Sequence, residues 1–359
     1  MPDPIHILFL VPYPMKHAPS QRFRVELFLP ELDKKGICYS VQSFLDENAW
    51  EQLYKGGSML QKGYGVAKGF ARRSKKILFG LKKFDYVFIH REASPLGPPV
   101  FEWLISKIFK KKIIYDFDDA IWIPNTSKEN KIVSWVKAFW KVKFICRWSY
   151  KVVGGNDYLC DFALEHNKQV IKIPTCVDTV GQHNRLKDQQ TKKVVIGWTG
   201  SHSTMKFLDE LVPVLAIVKQ KYPVEFVVIS NKSPQFELAG LRYIPWNEST
   251  EVEDLLKINI GLMPLDPDPW CEGKCGFKLI QYLSLGIPAV ASPVGVNRDI
   301  IEQGINGFLC NTNDEWIQAL SFLIENPAVR ATMGKAGREK IEREFSIQSQ
   351  MGKFLHLFS

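Results

Sequence analysis

The chain alternates short apolar runs with segments of helical periodicity. The runs at residues 5–11 and 86–90 are apolar almost throughout, which is typical of strands buried on both faces of a parallel sheet. Segments such as 24–36, with helical spacing and a terminal glycine, predict helices between the strands. The alternation predicts an α/β fold with helices covering parallel sheets. The other predicted strands are 39–44, 112–115, 150–155, 170–174, 193–200, 224–230, 241–245, 258–265, 288–293 and 307–310, and further helices are predicted at 204–220, 250–257, 276–285, 314–325 and 328–343.

A polar stretch at residues 175–193 interrupts this alternation. It is poor in apolar residues, and the strand–helix pattern restarts after it, so we interpret it as a linker. A length of 359 residues also fits two domains better than one. The sequence therefore predicts two doubly wound halves that face each other. In such sheets ligands bind beyond the carboxyl ends of the strands.

Composition excludes several classes of protein. Hydrophobic residues make up 45% of the chain, which is enough for a globular core. No apolar run approaches the roughly 20 residues needed to span a bilayer, and the N-terminal run lacks the cleavage site of a signal peptide. Seven scattered cysteines indicate the cytoplasm, and Cys271 and Cys275 are too isolated to form a zinc site.

Positive charge is concentrated in two stretches of a chain whose net charge is +9. Residues 62–83 contain lysine and arginine but no acid, and residues 131–151 alternate Trp, Phe and Ile with Lys and Arg. Two interpretations stay open: solvated helix faces, or contact with an anionic membrane surface or a polyanionic substrate. The lack of a groove-reading motif argues against nucleic acid as a partner. We expect a cytoplasmic protein, with a peripheral position at the inner membrane face as a second option.

Three glycine-bearing loops are predicted at the carboxyl edge of the second sheet. A strand, a turn with Gly200 and a helix follow one another, and the free N–H groups of such a helix start suit phosphate oxygens. Lys274, Gly276 and Lys278 surround the start of another helix, where cations are unfavourable unless an anion lies beside them. Gly295 lies in the third loop. Together the loops predict a diphosphate ligand.

The last third of the chain carries an ordered set of motifs. From Gly273 the sequence reads GKCGFKLIQYLSLGIPAVASPVGVNRDI, continues with GINGFL and closes with MGKAGREKIEREFS. This order resembles the C-terminal half of retaining GT-B glycosyltransferases of family 4. The resemblance implies two Rossmann-like domains facing across a cleft, with an acceptor domain at 1–178 and a nucleotide-sugar domain at 190–340. It also implies a C-terminal helix at 341–359 that crosses back to the first domain.

The resemblance further implies a nucleotide-diphospho-sugar donor and transfer with retention to a hydroxyl of a glycan, a lipid-linked acceptor or a small molecule. The family's pair of glutamates, which engage the sugar and the ribose, falls on Gly273 and Gln281, so neither position carries charge. Its diphosphate lysine falls on Lys206, and Ser201 stands near the place of the companion arginine. The predicted nucleotide-sugar-binding residues are Gly200, Ser201, Lys206, Lys274, Gly276, Phe277, Lys278, Gln281, Gly295 and Asn297.

Three aspartates, Asp116, Asp118 and Asp119, follow a predicted strand of the first half. They could form the metal-binding D-x-D motif of the other glycosyltransferase fold, or a helix N-cap. The resemblance instead places the family's His-Asp on Asp118 and Asp119, which favours transfer without a metal or other cofactor. Adjacent carboxylates are expected to raise each other's pKa. The predicted catalytic residues are Asp118, Asp119, His90 and Lys278.

Two more polar clusters follow predicted strands of the first half. The cluster at 90–92 could orient the acceptor, or Arg91 could form a buried ion pair with Asp116. The basic loop at 14–24 follows the first strand and could reach a phosphate. From these clusters we assign to the acceptor or phosphate side Ser20, Arg22, Arg24, Arg91 and Glu92.

Three functional hypotheses follow. The first is a retaining glycosyltransferase of polysaccharide biosynthesis, in which lysines and helix N-termini stabilise the leaving diphosphate and a leaving phosphate oxygen is the base. The second keeps the fold but is a nucleotide-sugar epimerase or a non-catalytic nucleotide-binding protein, because the acidic pair is missing. The third, compatible with the first, is a tether to a membrane surface or nucleic acid through the basic stretches. The first is preferred.

Overall fold

A computed structural model describes residues 5–55, 58–124 and 137–359. The chain divides into two compact units. Unit 1 comprises the chain up to Thr175 together with Met351–Ser359, and unit 2 comprises Cys176–Gln350. The division between the units falls between Thr175 and Cys176, and the chain returns to unit 1 at Met351.

Each unit contains a six-stranded sheet in which every pair of neighbours is parallel. The predicted strands are all present, with small shifts at their ends. In unit 1 they are β1 (His6–Val11), β2 (Cys38–Ser43), β3 (Tyr86–His90), β4 (Lys112–Phe117), β5 (Lys151–Gly154) and β6 (Val170–Lys172). In unit 2 they are β7 (Val195–Gly200), β8 (Glu225–Ser230), β9 (Leu241–Pro245), β10 (Ile260–Met263), β11 (Ala289–Ala291) and β12 (Gly307–Leu309).

The order of the strands identifies one expected ligand-binding position in each sheet. The order is β2-β1-β3-β4-β5-β6 in unit 1 and β12-β11-β10-β7-β8-β9 in unit 2. Chain order therefore reverses between β1 and β3 in the first sheet and between β7 and β10 in the second. Ligands of open parallel sheets bind at such a reversal, beyond the carboxyl ends of the strands. The expected binding places follow Val11 and His90 in unit 1, and Gly200 and Met263 in unit 2.

Helices connect the strands. Those of unit 1 are α1 (Pro19–Arg24), α2 (Leu29–Lys34), α3 (Glu47–Lys55), α4 (Met59–Gly80), α5 (Val100–Trp103, continued by a π-helical turn at Leu104–Ile108), α6 (Lys141–Trp148) and α7 (Asp157–Leu164). Those of unit 2 are α8 (Met205–Lys221), α9 (Glu251–Leu255), α10 (Pro269–Glu272), α11 (Phe277–Ser284), α12 (Asn297–Ile300), α13 (Asn313–Glu325) and α14 (Pro327–Glu344), and α15 (Ile347–His356) leads from unit 2 into unit 1. Within the described ranges, none of these helices combines the length and the apolarity needed to cross a membrane.

The helix predicted at 24–36 is divided into three pieces. α1 ends at Arg24, a 3₁₀ turn covers Glu26–Phe28, and α2 begins at Leu29. In one continuous helix Pro30 would lie in the interior and remove a backbone hydrogen bond. In the observed structure it occupies the first turn of α2, where the N–H has no helical partner in any case.

The core of unit 2 lies between its sheet and helices α8 and α13. Trp198, Phe226 and Leu262 come from three neighbouring strands and are nearly inaccessible to solvent. Leu215 of α8 and Leu320 of α13 belong to the same buried cluster. Burial of an aromatic side chain as large as Trp198 contributes strongly to stability. The packing also holds the carboxyl end of β7 in place.

The C-terminal residues are anchored in unit 1. Phe354 of α15 stacks on Phe28 with ring centroids 4.1 Å apart, and Leu357 is fully buried. The ammonium of Lys151 donates a hydrogen bond to the carbonyl oxygen of His356 at 2.6 Å. A cation at the C-terminus of a helix is also favoured by the helix dipole. The end of the chain therefore belongs to the core of the first unit.

Candidate functional site

The carboxyl edge of the unit 1 sheet brings a serine and a histidine into contact at the reversal of strand order. Ser20 lies in the first turn of α1, after β1, and His90 is the last residue of β3. The Ser20 Oγ is 2.9 Å from His90 Nε2, and the histidine side chain is fully buried. Because β1 pairs directly with β3, two predicted residues that are 70 positions apart in sequence meet here.

Asp116, near the end of β4, is the centre of a buried ion-pair cluster. Its carboxylate accepts a hydrogen bond from His90 Nδ1 at 2.7 Å and pairs with the guanidinium of Arg24. Arg24 also donates to the carbonyl oxygen of Ile173. The side chains of Arg24 and Asp116 are only 2% and 1% exposed. The predicted ion pair of Arg91 with Asp116 is wrong, because α1 delivers Arg24 to that carboxylate.

Arg91 pairs instead with the two aspartates that follow β4. Its Nε lies 3.3 Å from Asp118 Oδ1, and its guanidinium forms a second ion pair with Asp119. The backbone of Arg91 has φ +62°, a left-handed conformation that is unfavourable for residues other than glycine. Its N–H donates to the Asp116 carbonyl at 2.7 Å, and the Tyr115 hydroxyl donates to its carbonyl at 2.8 Å. Backbone strain of this kind concentrates at functional sites.

The pKa of Asp118 is lowered to about 2. Burial alone would raise this pKa, but the charges of Arg91 and His90 and a hydrogen bond from Ser20 outweigh it. The prediction that adjacent carboxylates raise each other's pKa is therefore wrong for Asp118. The physical reason is that the Arg91 guanidinium contacts both carboxylates, Asp118 and Asp119.

This shift predicts how stability depends on pH. The folded-state pKa of Asp118 lies below the unfolded-state value of about 4, so its ionised form stabilises the fold above that value. The contribution is lost as the pH falls towards about 2. We expect the unfolding free energy to fall between about pH 5 and pH 2, and to fall less steeply in Asp118→Asn. Denaturant titrations across this range, followed by circular dichroism, measure both slopes. Equal slopes in the two proteins would contradict the assignment.

Both ring nitrogens of His90 have partners in this cluster. Its Nδ1 lies 2.7 Å from Asp116 Oδ2, and its Nε2 lies 2.9 Å from Ser20 Oγ. Ser20 also forms a hydrogen bond with Asp118. The histidine ring therefore links Asp116 to the hydroxyl group that contacts Asp118.

Glu92 and Arg22 have other contacts. Glu92 pairs with Lys141 of α6 at 2.7 Å, and the same ammonium donates to the carbonyl oxygen of Ser94 at 2.9 Å. Arg22 is buried, with its guanidinium carbon 4.9 Å from the centroid of the Phe23 ring. These contacts explain both side chains structurally, and an acceptor role for them stays a prediction.

In unit 2 the reversal of strand order lies beside the turn that connects β7 to α8. This turn contains the 3₁₀ segment His202–Thr204. Ser201 and Ser203 are exposed there, with their hydroxyl oxygens 2.8 Å apart. The His202 N–H donates to Asn231 Oδ1 at 2.8 Å, so that amide already has a partner. The turn therefore presents the two serine hydroxyl groups and the imidazole of His202 to solvent.

Two predicted lysines lie beside aromatic rings at this edge. The Lys278 ammonium is 5.4 Å from the centroid of the Trp198 ring in β7, and the Lys206 ammonium is 4.6 Å from that of Phe207. Gly200 makes room for the first of these contacts. A methyl group on Gly200 would lie 2.7 Å from the Trp198 ring and 2.8 Å from Lys278 Cε. The glycine thus allows Lys278 to lie at the carboxyl end of β7.

The start of α11 separates the two lysines of the predicted anion site. Gly276 adopts φ +65°, which glycine tolerates, and the half-buried Phe277 is the first residue of the helix. The Lys274 ammonium lies 3.4 Å from the centroid of the Trp270 ring in α10. Lys278 lies on the other side of the turn, over β7. The two cations therefore contact different elements of the unit.

Gln281 is buried in α11 and contacts a carboxylate that the sequence prediction missed. It is 3% exposed, and its amide donates to Glu251 Oε1 at 3.2 Å. The Trp246 Nε1 donates to the same oxygen at 3.1 Å. Glu251 is the first residue of α9, so the two side chains meet only in the folded unit. Position 281 carries no charge itself, but its side chain contacts a carboxylate, that of Glu251, from another helix.

The third predicted loop, which contains Gly295, is stabilised by hydrogen bonds and an ion pair within unit 2. The Gly295 N–H donates to Glu272 Oε2 at 2.8 Å, and Arg298 Nη1 lies 3.4 Å from the same oxygen. Asn297 is 1% exposed, and its Nδ2 donates to the carbonyl oxygen of Ser292 at 3.0 Å. The amide of Gly295 is therefore engaged by a carboxylate, and direct contact of Gly295 or Asn297 with a ligand stays a prediction.

The side chains of the described residues do not form a metal-binding cluster. No group of three or more His, Cys, Asp or Glu side chains among them is arranged to hold a metal ion. Cys271 and Cys275 are both buried. Burial raises the pKa of Cys271 to about 12, and the carboxylate of Asp268 adds to the effect.

The fold defines a class of protein. Two doubly wound, six-stranded parallel sheets are the architecture of the GT-B glycosyltransferases, so the predicted fold class is confirmed. Residues 193–326, most of unit 2, match the family model described as "Glycosyl transferases group 1". The family match and the fold together support a GT-B glycosyltransferase.

Individual relatives agree with this class at low sequence identity. A trehalose synthase from Pyrococcus horikoshii is 21% identical over 320 residues, which cover 80% of this chain and 72% of the relative. Sucrose-phosphate synthase from Thermosynechococcus elongatus superposes with a TM-score of 0.68 at 13% identity, covering 98% of both chains. Anabaena Alr3699/HepE, solved with UDP-glucose, superposes with a TM-score of 0.67 at 14% identity, covering 98% of this chain and 99% of that one.

Proposed function

We propose that this protein is a retaining glycosyltransferase whose nucleotide-diphospho-sugar donor binds at the carboxyl edge of the unit 2 sheet. The observation that carries the proposal is the position of Lys278. Its ammonium lies at the end of β7, over Trp198, beside the reversal of strand order where parallel sheets bind ligands. A fixed cation at this point can bind a diphosphate.

Other groups of unit 2 support a diphosphate at this edge. The exposed hydroxyl groups of Ser201 and Ser203 can donate to phosphate oxygens, and Lys206 follows them in the first turn of α8. The start of α11 is the positive end of its helix dipole, which attracts anions. Gly276, immediately before that helix, permits close approach of a ligand. A dianionic diphosphate suits this set of cations and donors.

The contact between Gln281 and Glu251 supports recognition of the donor's hydroxyl groups. The amide donates to the carboxylate at 3.2 Å, so an amide oxygen and a carboxylate, both hydrogen-bond acceptors, lie close together. Sugar and ribose hydroxyls are donors that such oxygens can bind. HepE of Anabaena was solved with UDP and with UDP-glucose, which makes uridine donors the first to test.

For unit 1 we propose a role in binding the acceptor. The cluster of Ser20, His90 and Asp118 offers donors and ionised acceptors at the carboxyl edge of that sheet. Because both ring nitrogens of His90 already have partners in Asp116 and Ser20, we assign it to binding and orientation, and not to the role of a base. The acceptor hydroxyl attacks from the face on which the diphosphate leaves, and it gives its proton to the leaving phosphate oxygen. That geometry retains the anomeric configuration.

Catalysis in this proposal is electrostatic. The anomeric C–O bond breaks as the acceptor oxygen attacks, and negative charge grows on the leaving diphosphate. Lys278 and the N–H groups of α11 stabilise that charge more in the transition state than in the ground state. We propose that no metal ion is required, since Asp116, Asp118 and Asp119 are already engaged by arginine side chains.

A donor screen tests the proposal. Thermal-shift measurements with nucleoside diphosphates and their sugars, run with and without EDTA, should show stabilisation by one base, with UDP-glucose as the first candidate. That donor should release its diphosphate only when an acceptor is present, and the product should keep the anomeric configuration by NMR. An isomerised donor without acceptor would identify an epimerase instead. Binding without turnover would identify a nucleotide-binding protein, and an inverted product would contradict retention.

A further inference from the structure

We propose that unit 1 docks on the surface of an anionic lipid bilayer through an aromatic groove. The groove holds about 260 Å³ and is lined by Pro98, Pro99, Val100, Trp103, Trp140, Phe144 and Trp148. This interaction is separate from donor chemistry, so it neither requires nor supports the proposed transfer reaction.

Helix α6 supplies one wall of the aromatic groove because it has two apolar faces. One face packs into the unit and consists of Val142, Ile145 and Cys146, all nearly inaccessible to solvent. A helix that only covers a sheet needs no other apolar stripe. The second stripe recurs every four residues and stays in contact with solvent, with ring centroids 5.6 and 5.9 Å apart, at Trp140, Phe144 and Trp148.

Helix α5 supplies the other wall. Val100 is 50% exposed and Trp103 is 42% exposed, and Trp140 across the groove is 51% exposed. Single exposed apolar side chains are normal on a protein surface. A contiguous patch with several tryptophans is not, and such patches mark sites of interaction.

The charges around the aromatic groove identify the partner. Lys143 and Arg147 are exposed on α6, and their charged groups lie 5.3 and 5.7 Å from the Phe144 ring. Glu102 is the only acid in residues 98–112 and 137–151, and it is buried. Tryptophan with lysine and arginine is the composition that suits the interface of an anionic bilayer. Protein interfaces, in contrast, are depleted in lysine.

The other basic stretch, residues 62–83, is less suited to binding a membrane surface. In α4, Lys68 and Arg72 pair with Asp46, and the buried Arg73 donates to the Val11 carbonyl at 3.0 Å. Several cations of the 62–83 stretch are thus engaged within the unit. Residues 131–136 of the second stretch lie outside the described residues, and the proposal uses only its part from Trp140 onward.

Sedimentation with vesicles tests the proposal. The full chain should bind vesicles of phosphatidylcholine mixed with phosphatidylglycerol, bind less to phosphatidylcholine alone, and bind more weakly as salt is raised. Trp140→Ala with Trp148→Ala should weaken binding about tenfold or more through lost interfacial burial. Lys143→Glu with Arg147→Glu should do the same through charge. The matched control is Phe322→Ala, which removes an exposed aromatic side chain from α13 of unit 2 and should leave binding unchanged.

Measurements of thermal stability and oligomeric state show whether a loss of vesicle binding has another cause. Each variant should keep the thermal transition of the native protein and the same stabilisation by the nucleotide found in the donor screen. The charge-preserving variant Lys143→Arg with Arg147→Lys should still bind vesicles. Absence of wild-type binding to anionic vesicles would overturn the proposal even if transfer is observed. A wild-type dimer that becomes monomeric in the tryptophan variant, with no vesicle binding, would show that the groove joins two copies of the chain.

Discussion

Replacing Lys278 with alanine is expected to reduce sugar transfer at least about tenfold and to weaken binding of the nucleoside diphosphate. The ammonium lies at the carboxyl end of β7, over the Trp198 ring, where the proposed diphosphate gains charge as the glycosidic bond breaks. Removal of one such preorganised group typically costs a factor of about 10² to 10³ in rate. Initial rates with saturating donor, together with calorimetric titration of the diphosphate, measure the two effects separately.

The control for this experiment is Lys221→Ala. Lys221 is exposed in the last turn of α8, at the opposite end of the helix from the proposed site. Its loss removes the same charge and should leave both rate and affinity near those of the native protein. If Lys278→Ala transfers sugar as fast as Lys221→Ala, the ammonium does not act on the leaving group, and the donor site must be sought elsewhere.

Replacing Asp116 with asparagine is expected to destabilise the protein by about 3–5 kcal/mol, since it removes one partner of a buried ion pair. The amide keeps the shape of the side chain but leaves the charge of Arg24 without its counterion, at 2% exposure. It also takes the acceptor charge from His90 Nδ1. Guanidinium titration followed by circular dichroism gives the change in unfolding free energy.

Asp157→Asn is the matched substitution at the surface. Asp157 pairs with Lys172 at 2.7 Å, but its side chain is 65% exposed. Exposed ion pairs contribute less than about 1 kcal/mol, so this variant should lie close to the native protein. A loss of stability in Asp116→Asn no larger than in Asp157→Asn would mean that the cluster is not held by the buried carboxylate.

Much of the fold was predictable from local patterns in the sequence. The central strands were predictable because a strand buried on both faces reads as a short apolar run, as at Tyr86–His90. Helix boundaries were less predictable where a proline or a turn competes with periodicity. The segment 24–36 has helical spacing, yet Pro30 begins a new helix inside it. The C-terminal motifs resembled those of GT-B glycosyltransferases, the coarser class that the match over residues 193–326 supports.

The chemistry of the candidate site was predictable by residue type but not by partner. His90, Asp116 and Arg24 could each be selected as polar residues after apolar runs, but nothing in their spacing says which carboxylate faces which cation. The predicted partner of Asp116 was Arg91, and the observed one is Arg24. Glu251 had no signal beyond the acidic start of a helix, and its contact with Gln281 depends on the packing of α9 and α11.

The sequence by itself determined the α/β class, the two halves and the strand ends at which polar side chains gather, because these depend on periodicities of two to four residues. Only the tertiary structure decided the ion pairs, the lowered pKa of Asp118 and the groove between α5 and α6. Those properties depend on the side chains that distant segments place within a few ångströms of one another. That placement is fixed by strand order and helix packing, which no local pattern encodes.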